Sequence, residues 1–346
     1  LFTHKIFTAT ILLLSLLLMA SLSQAQGNPK NKPVVYGEQL EGFDYAYPVH
    51  IYAFESQAEE MHMAYIDSPP SNASKPNGHT AVLLHGKNFC AGTWETTIKA
   101  LNDDGYRVIA PDQIGFCKST KPERYQYSLH QLANNTRALL DSLGIGKSIV
   151  VGHSMGGMLA IRYALMYPDA VERLALVDPI GLEDWKAQGV PYSTIDQLYA
   201  RELKTSADSI KNYQRNTYYA DEWKPEFDRW VQMLAGMYRG PGLQAVARNS
   251  ALTYDMIYTQ PVFYEFEQLK MPTALFIGWK DNTAIGKDTA PPEVRARLGN
   301  YKELGKAAAA RIPHAQLIEF EDLGHAPQIQ APERFNKALL KALDEN

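Results

Sequence analysis

Short apolar runs recur along the chain, separated by stretches whose apolar positions fall three and four residues apart. Residues 81–84, 106–110, 148–152, 174–177, 271–277 and 316–320 read as strands, and most are apolar without alternation, as strands buried on both faces are. Two earlier runs, 49–54 and 61–66, read as strands joined by a polar turn at 55–60. Helical spacing covers 94–101, 127–143 and 332–343; Asp103-Asp104-Gly105 ends the first and Gly144 the second. Eight strands alternating with helices predict an α/β fold: a mostly parallel sheet with helices on both faces.

The alternation fails between 181 and 268. These 88 residues are helix-like and hold 15 aromatics, or 17% against 11% for the whole chain. They predict a helical cap inserted after the sixth strand, leaving a core made of 49–180 and 269–346. Residues 26–48 are polar, with Pro29, Pro33 and Pro48, and read as an extended N-terminal arm.

Residues 1–25 have a different character. His4 and Lys5 precede an apolar run, 6–19, and Ser23 and Ala25 put small residues at the −3 and −1 positions of a cleavage site. The pattern predicts a signal peptide cut after Ala25 and a protein exported to the periplasm or beyond the cell. The apolar run is short for a span, so no membrane association is expected after cleavage. A net charge of −4 gives no basis for a nucleic-acid partner or an anionic membrane surface. The two cysteines, Cys90 and Cys117, lack metal-ligand spacing, and the histidines form no cluster in sequence. No cofactor and no metal is expected; the expected partner is a small-molecule substrate.

The strand at 148–152 runs into Gly152-His153-Ser154-Met155-Gly156, and helical spacing begins directly after it. Gly-x-Ser-x-Gly between strand and helix is the pattern of a nucleophile elbow, a turn so tight that it presents the serine hydroxyl to a cleft. The helix start behind the serine offers free N–H groups, and that of Met155 is placed to hold an oxyanion. A serine hydroxyl needs a base to take its proton. Of nine histidines, His325 alone sits in a loop just past the last strand, before the closing helix. The carboxylate that orients it has two candidates, each just past a buried strand. Asp281 is preferred for its loop position, and the order Ser, then Asp, then His supports His325 as the base. Asp178 is the alternative, or else a cap for the turn into Pro179.

On these residues the chain resembles the α/β-hydrolase superfamily over nearly all of 49–343. His85-Gly86 is similar to the family's oxyanion loop, Asp112 to Ser119 to its Asp-x-x-Gly-x-Gly-x-Ser loop, and Gly152 to Gly157 to its elbow. Gly278 to Asp281 resembles the acid loop and Gly324-His325 the base loop. The resemblance implies an eight-stranded sheet and a second oxyanion donor in the main-chain N–H of Lys87. Cys117 stands where the family usually has glycine. The implied neighbouring of its loop with that of Cys90 allows either a disulfide or two buried thiols.

Some relatives are excluded. Dehalogenases and epoxide hydrolases of this fold carry aspartate where Ser154 stands, and neither a His-Gly-Gly-Gly loop nor the Gly-Pro-Gly segment of C–C bond hydrolases is present. What remains is a capped serine esterase, lactonase, amidase or perhydrolase. A slow-turnover ligand sensor and transfer to an acceptor other than water are the competing classes. The expected substrate is apolar or aromatic. Cap residues Trp185, Tyr192, Tyr199, Tyr218, Tyr219, Trp223, Trp230 and Tyr238 are the candidates to wall its pocket, with 282–313 as a second side.

Overall fold

The strand runs build one sheet. The computed structural model describes residues 33–71 and 75–344. Contacts divide the chain after Val34, and the fold described is that of the larger unit, Val35–Asn346. The expected signal segment, 1–25, lies outside the described residues. Among those residues the strands are β1 (Val49–Ser56), β2 (Glu59–Ser68), β3 (Thr80–Leu84), β4 (Arg107–Pro111), β5 (Ser148–His153), β6 (Val171–Val177), β7 (Thr273–Gly278) and β8 (Ala315–Phe320). Their order is β1-β2-β4-β3-β5-β6-β7-β8; β2 is antiparallel to both neighbours, and all pairs from β4 to β8 are parallel.

The helices of the first half are α1 (Glu95–Asp103), α2 (Leu129–Ser142) and α3 (Met155–Met166). The inserted segment holds α4 (Trp185–Gln188), α5 (Ile195–Glu202), α6 (Ala207–Tyr213), α7 (Asp228–Arg239) and α8 (Leu243–Thr259), and α6 runs on into a π-turn, Gln214–Tyr218. After β7 come α9 (Pro292–Arg295), α10 (Tyr301–Arg311), α11 (Pro327–Gln330) and α12 (Pro332–Asp344).

Side chains alternate along each strand, so both faces of the sheet are buried. Val82 and Leu84 of β3 pack in one layer with α2, α3 and α10; Ala81 and Leu83 pack in the other with α1 and α12. This explains the unbroken apolar runs. Ser128 starts α2 by accepting the N–H of Gln131 at 3.0 Å, and Gly144, at φ +70°, ends that segment. Such a cap contributes about 1 kcal/mol.

Residues 36–47 are not extended. They turn at Leu40 and Gly42, both at positive φ, and bury Leu40 and Phe43. The N–H of Tyr36 donates to Gly236 O of α7 at 2.9 Å, and Lys118 Nζ donates to Phe43 O at 2.7 Å. The segment fastens the cap to the core. Its few apolar residues decide its path, against the prolines and polar residues around them.

Register places the loops. Leu84 pairs with Gly152, His153 with Val177, and Gly278 with Phe320. The loops after β3, β5, β6, β7 and β8 therefore leave the sheet at one edge, where ligands sit in such sheets.

Candidate active site

Ser154 stands between β5 and α3 at φ +57°, ψ −122°. A non-glycine residue there is strained and persists only because its surroundings fix it. Its N–H donates to Val177 O at 3.1 Å, and its carbonyl accepts from Gly157 N at 2.9 Å and Ile180 N at 3.2 Å. The elbow leaves no room at the flanking glycines: a Cβ on Gly156 would lie 2.1 Å from Leu84 O, and one on Gly152 2.2 Å from Gly156 O.

The structure brings Ser154, His325 and Asp281 together across 171 and 44 residues of chain. Ser154 Oγ lies 2.8 Å from His325 Nε2, and His325 Nδ1 lies 2.6 Å from Asp281 Oδ2. All three residues are buried. Asp281 uses its other oxygen, Oδ1, to accept from Thr283 N at 2.8 Å and Thr283 Oγ1 at 2.7 Å. With Asp281 as acceptor, Nδ1 carries the imidazole proton and Nε2 is free to accept from the serine hydroxyl.

The histidine loop is held from both sides. His153 Nε2–H donates to His325 O at 2.7 Å, and the N–H of Ala326 reaches Tyr218 O in the cap at 3.3 Å. The Tyr218 ring stacks on the imidazole at 5.1 Å. His153 itself stays neutral, because burial, then the proximity of His325, hold it well below its ordinary range. It acts as a brace.

The alternative acid, Asp178, does not reach the histidine through any hydrogen bond. Its Oδ1 accepts from Gly278 N at 2.8 Å, and its Oδ2 has no partner among the described residues. Burial, and next the charge of Asp281, push its carboxyl well above the usual range. The carboxyl links the ends of β6 and β7.

The expected oxyanion loop abuts the serine: a Cβ on Gly86 would lie 2.8 Å from Ser154 Cβ. Met155 opens α3 beside it. Three tethers hold the loop. Lys87 Nζ donates to Ser250 Oγ at 2.6 Å and to Glu202 Oε1 at 3.2 Å, both in the cap. Asn88 Nδ2 donates to Tyr218 Oη at 2.8 Å. Cys90 is bonded to Cys117, with Cα atoms 5.8 Å apart. Asp112 braces the base of both loops, accepting from Ala91 N at 2.7 Å, Tyr45 Oη at 2.8 Å and Lys118 N at 3.1 Å. Cys90, Asp112 and Cys117 are close enough to suggest metal ligands. Their donor atoms are already engaged, however, with the sulfurs in each other and the carboxylate in those three bonds. His85 is also taken, donating from Nδ1 to Gly86 O at 2.8 Å and accepting at Nε2 from Gln113 N at 3.0 Å.

Ser154 and His325 open onto a cavity of about 620 Å³ between core and cap. Of the expected aromatics, Tyr218 and Tyr238 line it. Trp185 and Trp230 are buried in the main core, Tyr219 and Trp223 pack with Phe227, and Tyr192 faces outward. Residues 282–288 and Arg295 form the second wall. Tyr213, Gln214 and Tyr254 also line the cavity and were not singled out by the sequence. Ile210, Leu234 and Ile257 give it an apolar side, but Lys87, Arg201, Glu202 and Asp288 give it a charged one. An apolar or aromatic substrate thus accounts for only part of the wall.

The alpha/beta hydrolase fold family matches residues 82–332. A solved structure, a probable hydrolytic enzyme of Pseudomonas aeruginosa PAO1, is 66% identical with a TM-score of 0.89, covering 91% of this chain and 100% of that one. Lipase 1 of Psychrobacter immobilis is 30% identical over 260 residues, 73% of each chain. The cis-3-alkyl-4-alkyloxetan-2-one decarboxylase of Shewanella oneidensis is 26% identical over 265 residues, 72% of this chain and 76% of that one. With its sheet order, its elbow after β5 and these matches, the chain belongs to the α/β-hydrolase family.

Proposed function

We propose that the protein is a serine hydrolase that cleaves an ester-like bond of a small molecule through an acyl-enzyme. Ser154 Oγ attacks the carbonyl carbon as His325 Nε2 takes its proton. Asp281 holds the imidazole in the right tautomer and stabilises the imidazolium. The N–H groups of Lys87 and Met155 hold the oxyanion. His325 then returns the proton to the leaving group, and a water activated by the same nitrogen releases the acid. No step calls on a cofactor.

The observation that carries this reading is the continuous Asp281–His325–Ser154 hydrogen-bond chain, ending on a serine at positive φ that opens to a cavity. Among the relatives a lipase cleaves esters, which supports this reading, while the oxetan-2-one decarboxylase acts on a cyclic ester by a reaction of another class. The pattern of residues 1–25 supports export to the periplasm or the medium as the site of action.

The test is a screen over p-nitrophenyl esters of graded chain length, lactones and anilides, with Ser154→Ala as the blank. Activity in the wild type, its loss by several orders of magnitude in the variant, and labelling of Ser154 by a fluorophosphonate are expected. Labelling elsewhere, or full activity in Ser154→Ala, overturns the mechanism.

A further inference from the structure

The π-turn of the cap touches three loops of the site. The helix widens at Gln214–Tyr218, with the N–H of Tyr219 donating to Gln214 O at 3.1 Å. Directly after it Ala220 and Asp221 take positive φ and turn the chain back. A helix that stops leaves its last carbonyls without a partner inside it. Here three successive ones accept from the loops that carry the acid and the base. Asn216 O accepts from Asn282 Nδ2, beside Asp281, at 3.2 Å. Thr217 O accepts from His325 N at 3.4 Å, and Tyr218 O from Ala326 N at 3.3 Å. The approach is close: a Cβ on Gly324 would lie 2.6 Å from Tyr218 O. Single π-turns are rare and concentrate at functional sites.

Tyr218 adds its side chain to this contact. Its ring lies on the His325 imidazole, with centroids 5.1 Å apart and planes 29° apart. Its hydroxyl accepts from Asn88 Nδ2 at 2.8 Å, one residue past Lys87. The residue is buried, so packing holds the ring in one place. One cap residue thus bears on the base from one side and on the expected oxyanion loop from the other. The bond from Nδ1 to Asp281 fixes one point of the imidazole, and a ring against its face resists tilting about that point. Misplacing a reacting group slows the chemical step itself.

We infer that Tyr218 is a positioning residue through which the seated cap sets both the base, His325, and the loop that carries Lys87. This rests on the serine-hydrolase reading and adds that the site is complete only with the cap in place. Three main-chain bonds from the cap hold the acid and base loops, and the Tyr218 side chain aligns what those loops present.

Three variants test it, with p-nitrophenyl acetate as substrate. Tyr218→Phe keeps the ring and removes the bond to Asn88; Asn88→Ala removes the same bond from its other end. Each should lower kcat about three- to tenfold, with KM within about twofold of the wild type. Because both remove one bond, the double variant should be no slower than the slower of the two. Tyr218→Leu removes the ring as well, and its kcat should fall about ten- to a hundredfold. A role in folding alone would lower the melting temperature and leave the kcat of the folded enzyme where it is. Losses of Tyr218→Phe and Asn88→Ala that multiply in the double variant overturn the assignment. So does a folded Tyr218→Leu with kcat within about twofold of the wild type. Should Tyr218→Leu not fold, the cycle between Tyr218→Phe and Asn88→Ala decides alone. Ester hydrolysis at Ser154 with kcat unmoved by these variants defeats this inference and leaves the hydrolase reading standing. Absence of both hydrolysis and fluorophosphonate labelling in the wild type defeats that reading, and this inference with it.

Discussion

Lys87 Nζ lies 3.2 Å from Glu202 Oε1, joining the loop that abuts Ser154 to the end of cap helix α5. Tyr238 Oη donates to the other oxygen of Glu202 at 2.5 Å. The residue beside the serine is therefore positioned by the cap, 115 residues away. Burial alone would raise the Glu202 carboxyl, but the Lys87 charge and hydrogen bonds from Tyr238, Ser250 and Lys87 hold it below the usual range.

Breaking this pair should cost both stability and rate. Glu202→Leu leaves the Lys87 ammonium without its counter-charge. Loss of one partner from a fully buried pair costs about 3–5 kcal/mol. The side chains here are 13% and 18% exposed, so about 2–3 kcal/mol is expected in urea unfolding. A carboxyl depressed in the fold stabilises above its unfolded pKa of about 4.3 and loses that contribution as pH falls through the folded value. The difference between wild type and variant should therefore shrink on acidification below about pH 4. The turnover number should fall with it, because Lys87 N–H loses its anchor. An unchanged kcat in a folded variant separates Lys87 from the oxyanion role.

The two candidate aspartates should separate by rate. Asp281→Asn removes the acceptor that sets the imidazole tautomer, and kcat should fall about 10³- to 10⁴-fold. Asp178 makes no bond to the histidine, and burial favours its neutral form, so Asp178→Asn should cost less than about tenfold. Measured kcat for the two variants decides between them; the reverse order moves the acid to the end of β6.

Asp178 also gives a pH signature in stability. Its folded pKa lies well above its unfolded one, so between the two the folded state holds a proton that the unfolded state has lost. Stability then falls as pH rises above the unfolded value of about 3.9. Asp178→Asn abolishes this titration. Its melting temperature relative to wild type should rise as pH increases above about 4. A difference independent of pH shows that Asp178 is ionised in the fold.

The sheet and the Ser154–His325–Asp281 set were legible because each rests on local pattern. Strands buried on both faces leave continuous apolar runs, and Gly152, Ser154 and Gly156 carry a backbone demand that few residues meet. The link from Asp281 to Thr283 was within reach as well, since an Asp bonding two residues on is a local turn. The cavity wall was not legible. Lys87, Glu202 and Ser250 meet only through the docking of α5 and α8, and nothing near any one of them in sequence points to the others. The cap aromatics show the same limit. Tyr218 and Trp223 look alike in sequence, yet one stacks on His325 and the other packs on Phe227. Only the path of the π-turn decides which.

Cys117 sits at φ +46°, a left-handed conformation that suits glycine, and is bonded to Cys90. Lys121 Nζ donates to Cys117 O at 2.6 Å and to Ser119 O at 3.1 Å, which also ties this turn, and burial brings its ammonium pKa down to about 8. The bond closes a loop across a separation of 27 residues. Chain entropy then assigns it about 3.5 kcal/mol. Two double variants divide this from the backbone strain. Cys90→Ser with Cys117→Ser loses the cross-link and keeps a side chain at positive φ. Cys90→Ser with Cys117→Gly loses the same cross-link but relieves the strain, and should recover about 1 kcal/mol in urea unfolding. The first variant should also show a lower kcat, because the loop carrying Lys87 is then tied only through side chains. Equal stability of the two variants denies the strain. Two alkylatable thiols in the denatured, unreduced wild type deny the bond itself.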